Sequence, residues 1–564
     1  MKSSLLVLLG LICSLAFAQL DQARVKIDSN FRSTKHILFA VTIPGSSHVT
    51  WVMRFLDELT KRGHKVTFAT VDENVKYSAP YPLITTASFG PANFNHTALF
   101  TETNSHPSPF TLFPTIHEFL LPTWPRSYNL IIEQIEKYNV DVLICDFFTD
   151  ACIEASHTKK LPLIVTATGT LTPDSATEYF NQDIYTSEEP TTVNQSVFRR
   201  FYNKFIAPLK VIWTVKRQMY TLLQYKRKAG ILDAKWIDNP YDKTAHALKI
   251  IGNMFGLEVA RPLGPLVELV GPVLDRSYPG LDSDLVSYLS LRQKVVYVAF
   301  GQHSRAIISD VERVLTPLIH QLEKGHIDGI IWSSGCLEAN RFPATITSSY
   351  SGKTYNTTSL LNTNKKRYFR RSGDLLDEIY TTKWSPQMAI LLHPSVQVFV
   401  SHGGANSIFE CLYAGKRLLF YPFFADQPGA SKQLSQMGVS EYFDNHSDLT
   451  DIDDKVEKVI LDRDGFYQSN IKRYQAIIQI QSKGAPSRAA DLVEEVAFSH
   501  DGQILPHRED VGNSMSFIKR YNLDVYLIAI LLIGSFVTFV SFRLARLIKF
   551  FYHGYQIKQK SKFL

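Results

Sequence analysis

Polar side chains able to bind a ligand are concentrated in one stretch, Trp384–Gln427, which reads WSPQMAILLHPSVQVFVSHGGANSIFECLYAGKRLLFYPFFADQ. Its centre, Ser401-His402-Gly403-Gly404, separates an apolar, β-branched run from a helical pattern. Glycines at such a turn let a ligand approach the backbone. The N–H groups that begin a helix are unpaired and carry a partial positive charge. The stretch therefore predicts an anion site suited to a diphosphate.

Other groups at the same turn suit the rest of a nucleotide sugar. His402, Asn406 and Ser407 supply side-chain donors at the helix start. Glu410 lies one turn further along, on the face of Asn406 and Ser407, where its carboxylate can accept from a ribose diol. Trp384 offers a flat face on which a base can stack.

Two strands and one helix must position these groups. Val396–Val400 and Leu418–Tyr421 have the pattern of buried strands, and the helix between them is expected to start at an Asn406-Ser407 cap and end at Gly415. A right-handed crossover makes the two strands parallel neighbours. Asp426-Gln427 follows the second strand, at the carboxyl edge of the sheet, where such folds bind ligands. An acid-amide pair there can bind several sugar hydroxyls.

This stretch resembles the signature of the UDP-dependent glycosyltransferases of the glucuronosyltransferase superfamily. The resemblance implies that Trp384 stacks on uracil and that Gln387 and Glu410 hold the ribose. It also implies that the diphosphate binds to His402, Asn406, Ser407 and the Gly404 backbone, and the sugar to Asp426 and Gln427.

The implied fold is α/β, of the glycosyltransferase B (GT-B) type, with two facing Rossmann-like domains and one C-terminal transmembrane helix. Clustered Pro, Gly and Asp residues place an interdomain linker at residues 271–283. The expected order is a signal peptide (1–18), an N-terminal acceptor-binding domain (19–270), the linker (271–283), a C-terminal UDP-sugar-binding domain (284–500), a juxtamembrane linker (501–522), the transmembrane helix (523–542) and a basic cytosolic tail (543–564).

A general base is predicted in the N-terminal domain. His48 follows the strand pattern His36–Ile43, and a histidine at a helix start is favoured in the neutral form that a base requires. Asp146 follows another strand pattern, Val140–Cys145. The family resemblance implies that His48 deprotonates the acceptor hydroxyl and that Asp146 holds its far nitrogen, with Asp150 as a nearby rival.

The reaction implied by the resemblance is inverting transfer of a hexosyl group, glucose or glucuronate, from a UDP-sugar to a hydroxyl of a small lipophilic acceptor. The UDP-sugar is then a co-substrate, and no cofactor is expected. No Asp-x-Asp motif stands at the diphosphate site, so the reaction is expected to be independent of metal.

Two positions depart from the family pattern. Gln302 stands where relatives usually carry a serine near the diphosphate, and Ser304 is a possible substitute. Ser333 stands where glucuronate-using relatives often carry an arginine. This second departure weakens the case for a charged sugar, although Arg305 or another cation could replace that arginine.

Both ends of the chain indicate a membrane-anchored protein of the secretory pathway. Met1-Lys2, the apolar run Leu5–Ala16 and Ala16-Phe17-Ala18 match a signal peptide cut after residue 18. Tyr526–Phe542 carries no charge and precedes a basic tail. Lys560–Leu564 matches a K-x-K-x-x retrieval pattern, with binding to acidic lipid as the alternative. We expect a single-pass type I protein of the endoplasmic-reticulum membrane with lumenal catalytic domains.

Charge and cysteine content exclude other classes. The formal net charge of +7 is carried by Lys2 and six tail residues, so nothing indicates a nucleic-acid partner. Cys145 and Cys411 lie in apolar segments and are expected in the core, no cysteines have metal-ligand spacing, and disulfide pairing stays open. Four sequons suit a lumenal glycoprotein: Asn95, Asn194, Asn356 and Asn445.

Two segments allow more than one interpretation. Between Glu189 and Asp233, nine basic residues alternate with aromatic ones. They indicate either a helix lying on a membrane or, as the preferred interpretation, a helix pair that roofs the acceptor pocket with a solvated basic face. Asn340–Gly373 is rich in Ser, Thr and Asn and is expected to be an inserted surface loop rather than a strand pair.

A second class of function remains open. The chain could be a non-catalytic lumenal protein that binds a nucleotide sugar or a lipid and regulates true transferases. Gln302 favours this alternative, whereas the His48 and Asp146 pair favours an enzyme. Homo-oligomerisation is compatible with both.

Overall fold

The computed structural model describes residues 30–92, 108–181, 189–235, 240–335, 342–361 and 375–560. The predicted signal peptide, the sequon at Asn95 and the last four residues of the retrieval pattern lie outside these ranges. Everything said of the structure below concerns the described residues.

The first domain is built on a sheet of seven parallel strands in the order β3-β2-β1-β4-β5-β6-β7. Most of the strands are short, buried, apolar runs, as expected when helices cover both faces of a parallel sheet. The strands are β1 (His36–Val41), β2 (Lys65–Thr70), β3 (Ile84–Ser88), β4 (Val142–Asp146), β5 (Leu163–Ala167), β6 (Leu248–Ile251) and β7 (Val267–Leu269).

The helices of this domain include the predicted one after β1, which begins earlier than expected. The sequence pattern places its start at Val49, but the structure starts it at Ser46, so His48 lies in its first turn. The helices are α1 (Ser46–Lys61), α2 (Asp72–Val75), α3 (Pro109–Leu120), α4 (Trp124–Tyr138), α5 (Asp150–Lys159), α6 (Val197–Phe201), α7 (Ala207–Lys228) and α8 (Pro240–Thr244), with a π-helical turn (Tyr202–Ile206) between α6 and α7.

The second domain repeats this plan with six parallel strands in the order β12-β9-β8-β13-β14-β15. In chain order its strands are β8 (Val295–Ala299), β9 (Gly329–Ser333), the separate pair β10 (Thr345–Thr347) and β11 (Thr354–Asn356), β12 (Ile379–Thr382), β13 (Val396–Ser401), β14 (Arg417–Phe420) and β15 (Ser440–Tyr442). Its helices are α9 (Ser283–Ser290), α10 (Ile308–Glu323), α11 (Gln387–Leu392), α12 (Ala405–Ala414), α13 (Gln427–Gln436) and α14 (Leu449–Leu461). The predicted β13-α12-β14 unit is present and its strands are parallel.

The expectation of a plain loop at residues 340–373 was wrong for part of that segment. β10 and β11 form an antiparallel pair, and Ile346 of β10 is buried. Alternation of threonine and isoleucine in β10 places one apolar side chain inward between two polar ones, a signal too short to distinguish from a loop.

One long helix, α15 (Phe466–Ser499), joins the two domains. Two separate helices were expected here, but the helix continues through Pro486. Its first half contributes Ile471 and Ile478 to the core of the second domain, and its second half contributes Ala489 and Val493 to the core of the first. This helix therefore belongs to both cores.

The chain continues through two short helices, α16 (Val511–Ser514) and α17 (Phe517–Arg520), into α18 (Leu523–Lys560). From Leu523 to Lys558, α18 is long and apolar enough to cross a membrane by length and composition, and none of its most apolar window is buried. This helix contains the predicted span 523–542 and is consistent with a membrane anchor.

The cysteines expected in the core are buried. Cys411 is free and fully buried, and Cys145 is bonded to Cys152. This disulfide joins β4 to α5 across the turn that begins with Asp146. The pairing was left open by the sequence because spacing alone does not report which sulfur atoms face each other.

Candidate active site

A cavity of about 550 Å³ lies between the carboxyl ends of the two sheets. Both domains line it, as expected for ligand sites of open parallel sheets. Ten of the eleven predicted site residues are on its wall: His48, Trp384, Gln387, His402, Gly404, Asn406, Ser407, Glu410, Asp426 and Gln427. The eleventh, Asp146, is buried directly behind His48.

The start of α12 faces this cavity with unpaired backbone donors. Gly404 is the N-cap residue, and no side chain caps the helix, so the expected Asn406-Ser407 cap was wrong. Both residues instead lie in the first turn. Gly403 adopts φ 89°, a left-handed conformation that favours glycine, and turns the chain from β13 into the helix. The uncapped N–H groups remain available to an anion.

His402 is packed into the glycine turns beside this helix start. A Cβ atom at Gly301 would lie 2.7 Å from the His402 Nε2 atom, so glycine is needed there for the ring to fit. Burial lowers the pKa of His402 to about 4. The ring is therefore neutral near pH 7 and can contribute a hydrogen bond to a diphosphate, but not a positive charge.

The two residues predicted to hold the ribose contact each other. Gln387 Nε2 donates to Glu410 Oε2 at 2.7 Å and lies 3.2 Å from Ser407 Oγ. Burial raises the pKa of Glu410, and the hydrogen bond from Gln387 partly offsets this rise. Trp384 is 67% exposed, so its ring is accessible for stacking.

Asp426 and Gln427 lie at the start of α13, immediately after Ala425, a non-glycine residue with φ 56°. Gln427 Oε1 accepts from the backbone N–H groups of Phe423 and Phe424 at 3.0 and 3.3 Å, which fixes the side chain. Burial raises the pKa of Asp426, and the nearby His48 acts in the opposite direction. The predicted sugar-binding acid and the predicted base line the same cavity.

The predicted dyad is formed. His48 Nδ1 lies 2.8 Å from Asp146 Oδ2, and Asp146 Oδ1 accepts from the Phe148 backbone N–H at 3.1 Å. The rival carboxylate, Asp150, is used elsewhere, because it accepts from Trp124 Nε1 at 2.8 Å and from Lys226 Nζ at 3.0 Å. With Nδ1 of His48 bound to Asp146, its Nε2 atom is the nitrogen left for a substrate proton.

The pH dependence of any reaction that uses this base follows from its surroundings. Burial alone would lower the pKa of His48, but the charge and hydrogen bond of Asp146 outweigh it and raise that pKa above 6.5. Because a general base must be neutral, kcat/KM should fall as the pH drops through a midpoint above 6.5. Asp146→Asn should move the midpoint to lower pH in a pH–rate profile. An unchanged midpoint would contradict the coupling.

The two family departures are both on the cavity wall. Gln302 lines the cavity and its Oε1 lies 3.5 Å from the Tyr77 hydroxyl, whereas the suggested substitute, Ser304, is buried away from the lining. Ser333 also lines the cavity, and Arg305 does not.

Sequence reasoning missed three residues on this wall. His303 packs against Gly45 of the other domain, Tyr278 comes from the interdomain linker, and Arg54 lies on the third turn of α1. His303 could have been predicted, because it follows β8 at the carboxyl edge of the sheet. The sequence carries no such signal for Tyr278 and Arg54, because their approach to the cavity depends on how the two domains pack.

The part of the cavity nearest His48 is apolar. α3 supplies Leu112, Phe113 and Ile116, and the loop after β4 supplies Phe147 and Phe148. This surface can hold a lipophilic molecule with its polar group beside the imidazole.

The fold and this cavity define the class of protein. The solved structure titled "Crystal Structure Analysis of the Glycotransferase of kitacinnamycin" aligns with a TM-score of 0.56 at 15% identity, covering 83% of this chain and all of that one. Two Rossmann-like domains facing across a cleft, with a C-terminal helix shared between them, are the GT-B architecture expected from the sequence.

Sequence comparisons then indicate the family. The model described as "UDP-glucoronosyl and UDP-glucosyl transferase" matches residues 342–560, and "Glycosyl transferase family 1" matches residues 35–187. The chain is 26% identical over 525 residues to "UDP-glycosyltransferase stmC" of Aspergillus ustus, covering 88% of this chain and 95% of the relative. It is 21% identical over 524 residues to human "UDP-glucuronosyltransferase 1A5", covering 87% and 88%. Residues 342–560 therefore match a UDP-glucuronosyl- and UDP-glucosyltransferase domain, and the relatives that align along most of the chain are UDP-glycosyltransferases.

Proposed function

We propose that this protein is an inverting UDP-glycosyltransferase that moves a hexosyl group from a UDP-sugar to a hydroxyl of a small lipophilic acceptor. The observation that carries this proposal is the Asp146-held His48, which lines one cavity together with Asp426 and the uncapped start of α12. The groups that we assign as base, sugar-binding acid and diphosphate site therefore share one cavity, as a direct displacement requires.

In the proposed step, His48 Nε2 removes the acceptor hydroxyl proton while that oxygen attacks the anomeric carbon. The bond from this carbon to the diphosphate oxygen breaks, and its electron pair leaves with UDP. Attack and departure on opposite faces invert the configuration. The Asp146 carboxylate stabilises the imidazolium that forms on His48, as a carboxylate does beside a histidine base.

The departing diphosphate gains negative charge, which the N–H groups at the start of α12 are placed to stabilise. Neutral His402 adds a hydrogen bond. These groups replace the need for a metal in our proposal, and no cofactor takes part because the UDP-sugar is consumed as a substrate.

The product configuration tests this mechanism. The purified full-length protein, supplied with UDP-glucose and a panel of hydroxylated acceptors, should form β-glycosides from the α-linked donor, as read from the NMR signal of the anomeric proton. Products that retain the donor configuration would overturn the proposal. Binding of UDP without any transfer across the panel would instead favour the non-catalytic, regulatory alternative.

We further propose that the transferred sugar is a neutral hexose. Among the described residues that line the cavity, Arg54 is the only lysine or arginine, and it is already engaged. Its Nη2 donates to Asp275 at 2.7 Å, and Nη1 donates to the Val273 carbonyl. A glucuronate carboxylate would find no free lysine or arginine to pair with among these described lining residues, which is costly.

This assignment predicts the donor preference. We expect kcat/KM with UDP-glucose to exceed that with UDP-glucuronate by at least about tenfold, since an unpaired charge costs more than the ~1.4 kcal/mol of one decade. Steady-state kinetics with both donors and one acceptor measure it. Ser333→Arg, which adds a cation at the cavity wall, should reduce the preference. Faster turnover of UDP-glucuronate by the unmodified protein would contradict the assignment.

We also propose that α18 anchors the protein in the endoplasmic-reticulum membrane with both catalytic domains in the lumen. The apolar character of α18 and the basic tail after it support this topology. The sequons at Asn194, Asn356 and Asn445 are on exposed residues, which a lumenal modification requires.

A further inference from the structure

A stripe of large apolar side chains lies exposed along α6, the π-helical turn and α7. We define this apolar stripe as Phe198, Phe201, Phe205, Leu209, Trp213 and Tyr220, whose exposed fractions run from 56% to 88%. They recur every three or four residues, apart from one seven-residue step. Soluble surfaces rarely leave so many aromatic groups together in water, so the stripe indicates a binding surface.

The stripe is not a misplaced part of the core. The opposite side of α7 is fixed to the first domain through buried Val215, Leu223 and Lys226. Lys226 forms ion pairs with Asp150 at 3.0 Å and Glu154 at 2.5 Å. These contacts hold α7 in one rotation, with the apolar stripe directed outward.

Basic residues accompany the stripe and no acid interrupts it. Residues 190–232 contain no aspartate or glutamate. Lys216 Nζ lies 3.3 Å from the centre of the Trp213 ring, and Lys210 Nζ lies 4.1 Å from the centre of the Phe110 ring on α3. As far as residue 220, where the stripe ends, the cations along these helices are Arg199, Arg200, Lys204, Lys210, Lys216 and Arg217.

We propose that α6 and α7 lie on the surface of the bilayer that α18 enters, with the apolar stripe at the boundary between headgroups and acyl chains. Aromatic side chains flanked by lysine and arginine are the composition of interfacial helices, and the cations complement anionic headgroups. The bilayer is the expected partner of the apolar stripe, because α18 anchors the chain and so keeps its domains beside a lipid surface. A second copy of the chain is a poorer partner, since two such patches would bring like charges together.

This arrangement gives lipophilic acceptors a route to the site, a consequence that depends on the proposed function. α3 packs against α7 on one side, and its Leu112, Phe113 and Ile116 line the cavity on the other. The preferred expectation was that the helix pair between Glu189 and Asp233 roofs the acceptor pocket. Among the described residues it is α3 that lines the cavity, and α7 lies outside it. Of the described helices, α7 and α3 would stand between an acceptor dissolved in the membrane and the cavity that His48 lines.

Tryptophan quenching tests the location of the stripe without using activity. The full-length protein is reconstituted into vesicles of phosphatidylcholine and phosphatidylserine whose acyl chains carry bromine, which quenches nearby indoles. We expect Trp213→Phe to remove a large part of the quenchable fluorescence. Trp384→Phe, which removes the exposed indole of the cavity, should leave the quenched component in place. If both variants are quenched like the unmodified protein, the proposal is wrong.

Hydrogen exchange tests the role of charge. Amides of residues 198–220 should exchange more slowly in vesicles that contain phosphatidylserine than in phosphatidylcholine alone. Arg200→Gln/Lys204→Gln should lower the equilibrium constant for this protection by about thirtyfold, from about 1 kcal/mol per basic residue. Leu449→Ser/Ile480→Ser, which alters exposed apolar residues on α14 and α15, is the matched control and should change nothing. Equal exchange on both lipids, or protection that instead rises with protein concentration, would overturn the proposal.

Kinetics separate this inference from the proposed function. Phe201→Ser/Phe205→Ser should raise KM for a membrane-partitioning acceptor and leave KM for a water-soluble acceptor unchanged. If this variant loses the bromine quenching of Trp213 but keeps both KM values, the stripe contacts the membrane in the unmodified protein but does not serve as the acceptor route. If the unmodified protein transfers no sugar but its fluorescence is quenched by the brominated lipid, the proposed function is contradicted and the membrane contact is not.

Discussion

His48→Ala is expected to lower kcat by about 10²- to 10⁴-fold, the range for a general base, and to leave the Kd for UDP nearly unchanged. His48 belongs to the first domain and bonds to Asp146, whereas the groups assigned to UDP belong to the second domain. Removing the imidazole deprives the acceptor hydroxyl of its proton acceptor without altering the start of α12.

Single-turnover transfer and UDP titration by calorimetry measure the two quantities on the same preparation. His246→Ala is a matched control, because that histidine is exposed and pairs with Glu509, away from the cavity. Asp146→Asn should give a smaller loss of kcat than His48→Ala, since it leaves the imidazole in place. Wild-type turnover in His48→Ala would reject the assignment of the base.

Glu410→Ala should weaken UDP binding by about 10- to 100-fold, which corresponds to the ~1.5–3 kcal/mol of a hydrogen bond to a charged group. The carboxylate is the acceptor for Gln387 Nε2 and the group proposed to accept from the ribose diol. Its removal leaves the Gln387 amide without this partner. The effect should fall on the KM for the donor far more than on kcat, because the ribose is bound alike before and during transfer.

Isothermal titration with UDP and with the base-free ribose 5-phosphate distinguishes the ribose contact from stacking on Trp384. Both ligands should lose affinity in Glu410→Ala, whereas Trp384→Ala should weaken UDP alone. Glu312→Ala, an exposed carboxylate on α10, is the control for charge removal. Unchanged UDP affinity in Glu410→Ala would remove this residue from the donor site.

Much of the donor side was predictable because it lies in one continuous stretch of sequence. From Trp384 to Gln427 the chain passes the carboxyl edge of the sheet repeatedly, so the spacing of polar residues predicts which side chains meet. The pairing of His48 with Asp146 required the family resemblance, because 98 residues separate them and Asp150 was a nearby rival. The contacts of Asp150 with Trp124 and Lys226 became visible only in three dimensions.

Other features could not be predicted because they depend on packing between elements. In the sequence pattern of α1, Arg54 is a surface cation. Its hydrogen bond to Asp275 depends on the path of the linker that runs beside α1. The exposure of the apolar stripe likewise depends on which side of α7 meets the first domain. A helical pattern of aromatic and basic residues is the same whether its apolar side faces a protein or a lipid.

The shared helix α15 also has a consequence for biosynthesis. Ala485, Ala489 and Val493 complete the core of the first domain, although they follow the last strand of that domain by more than two hundred residues. A chain emerging from the ribosome therefore cannot close its first core until nearly all of the second domain has been made. The nascent N-terminal half should remain sensitive to proteases and bound to chaperones until residue 493 has emerged, shortly before α18 leaves the ribosome.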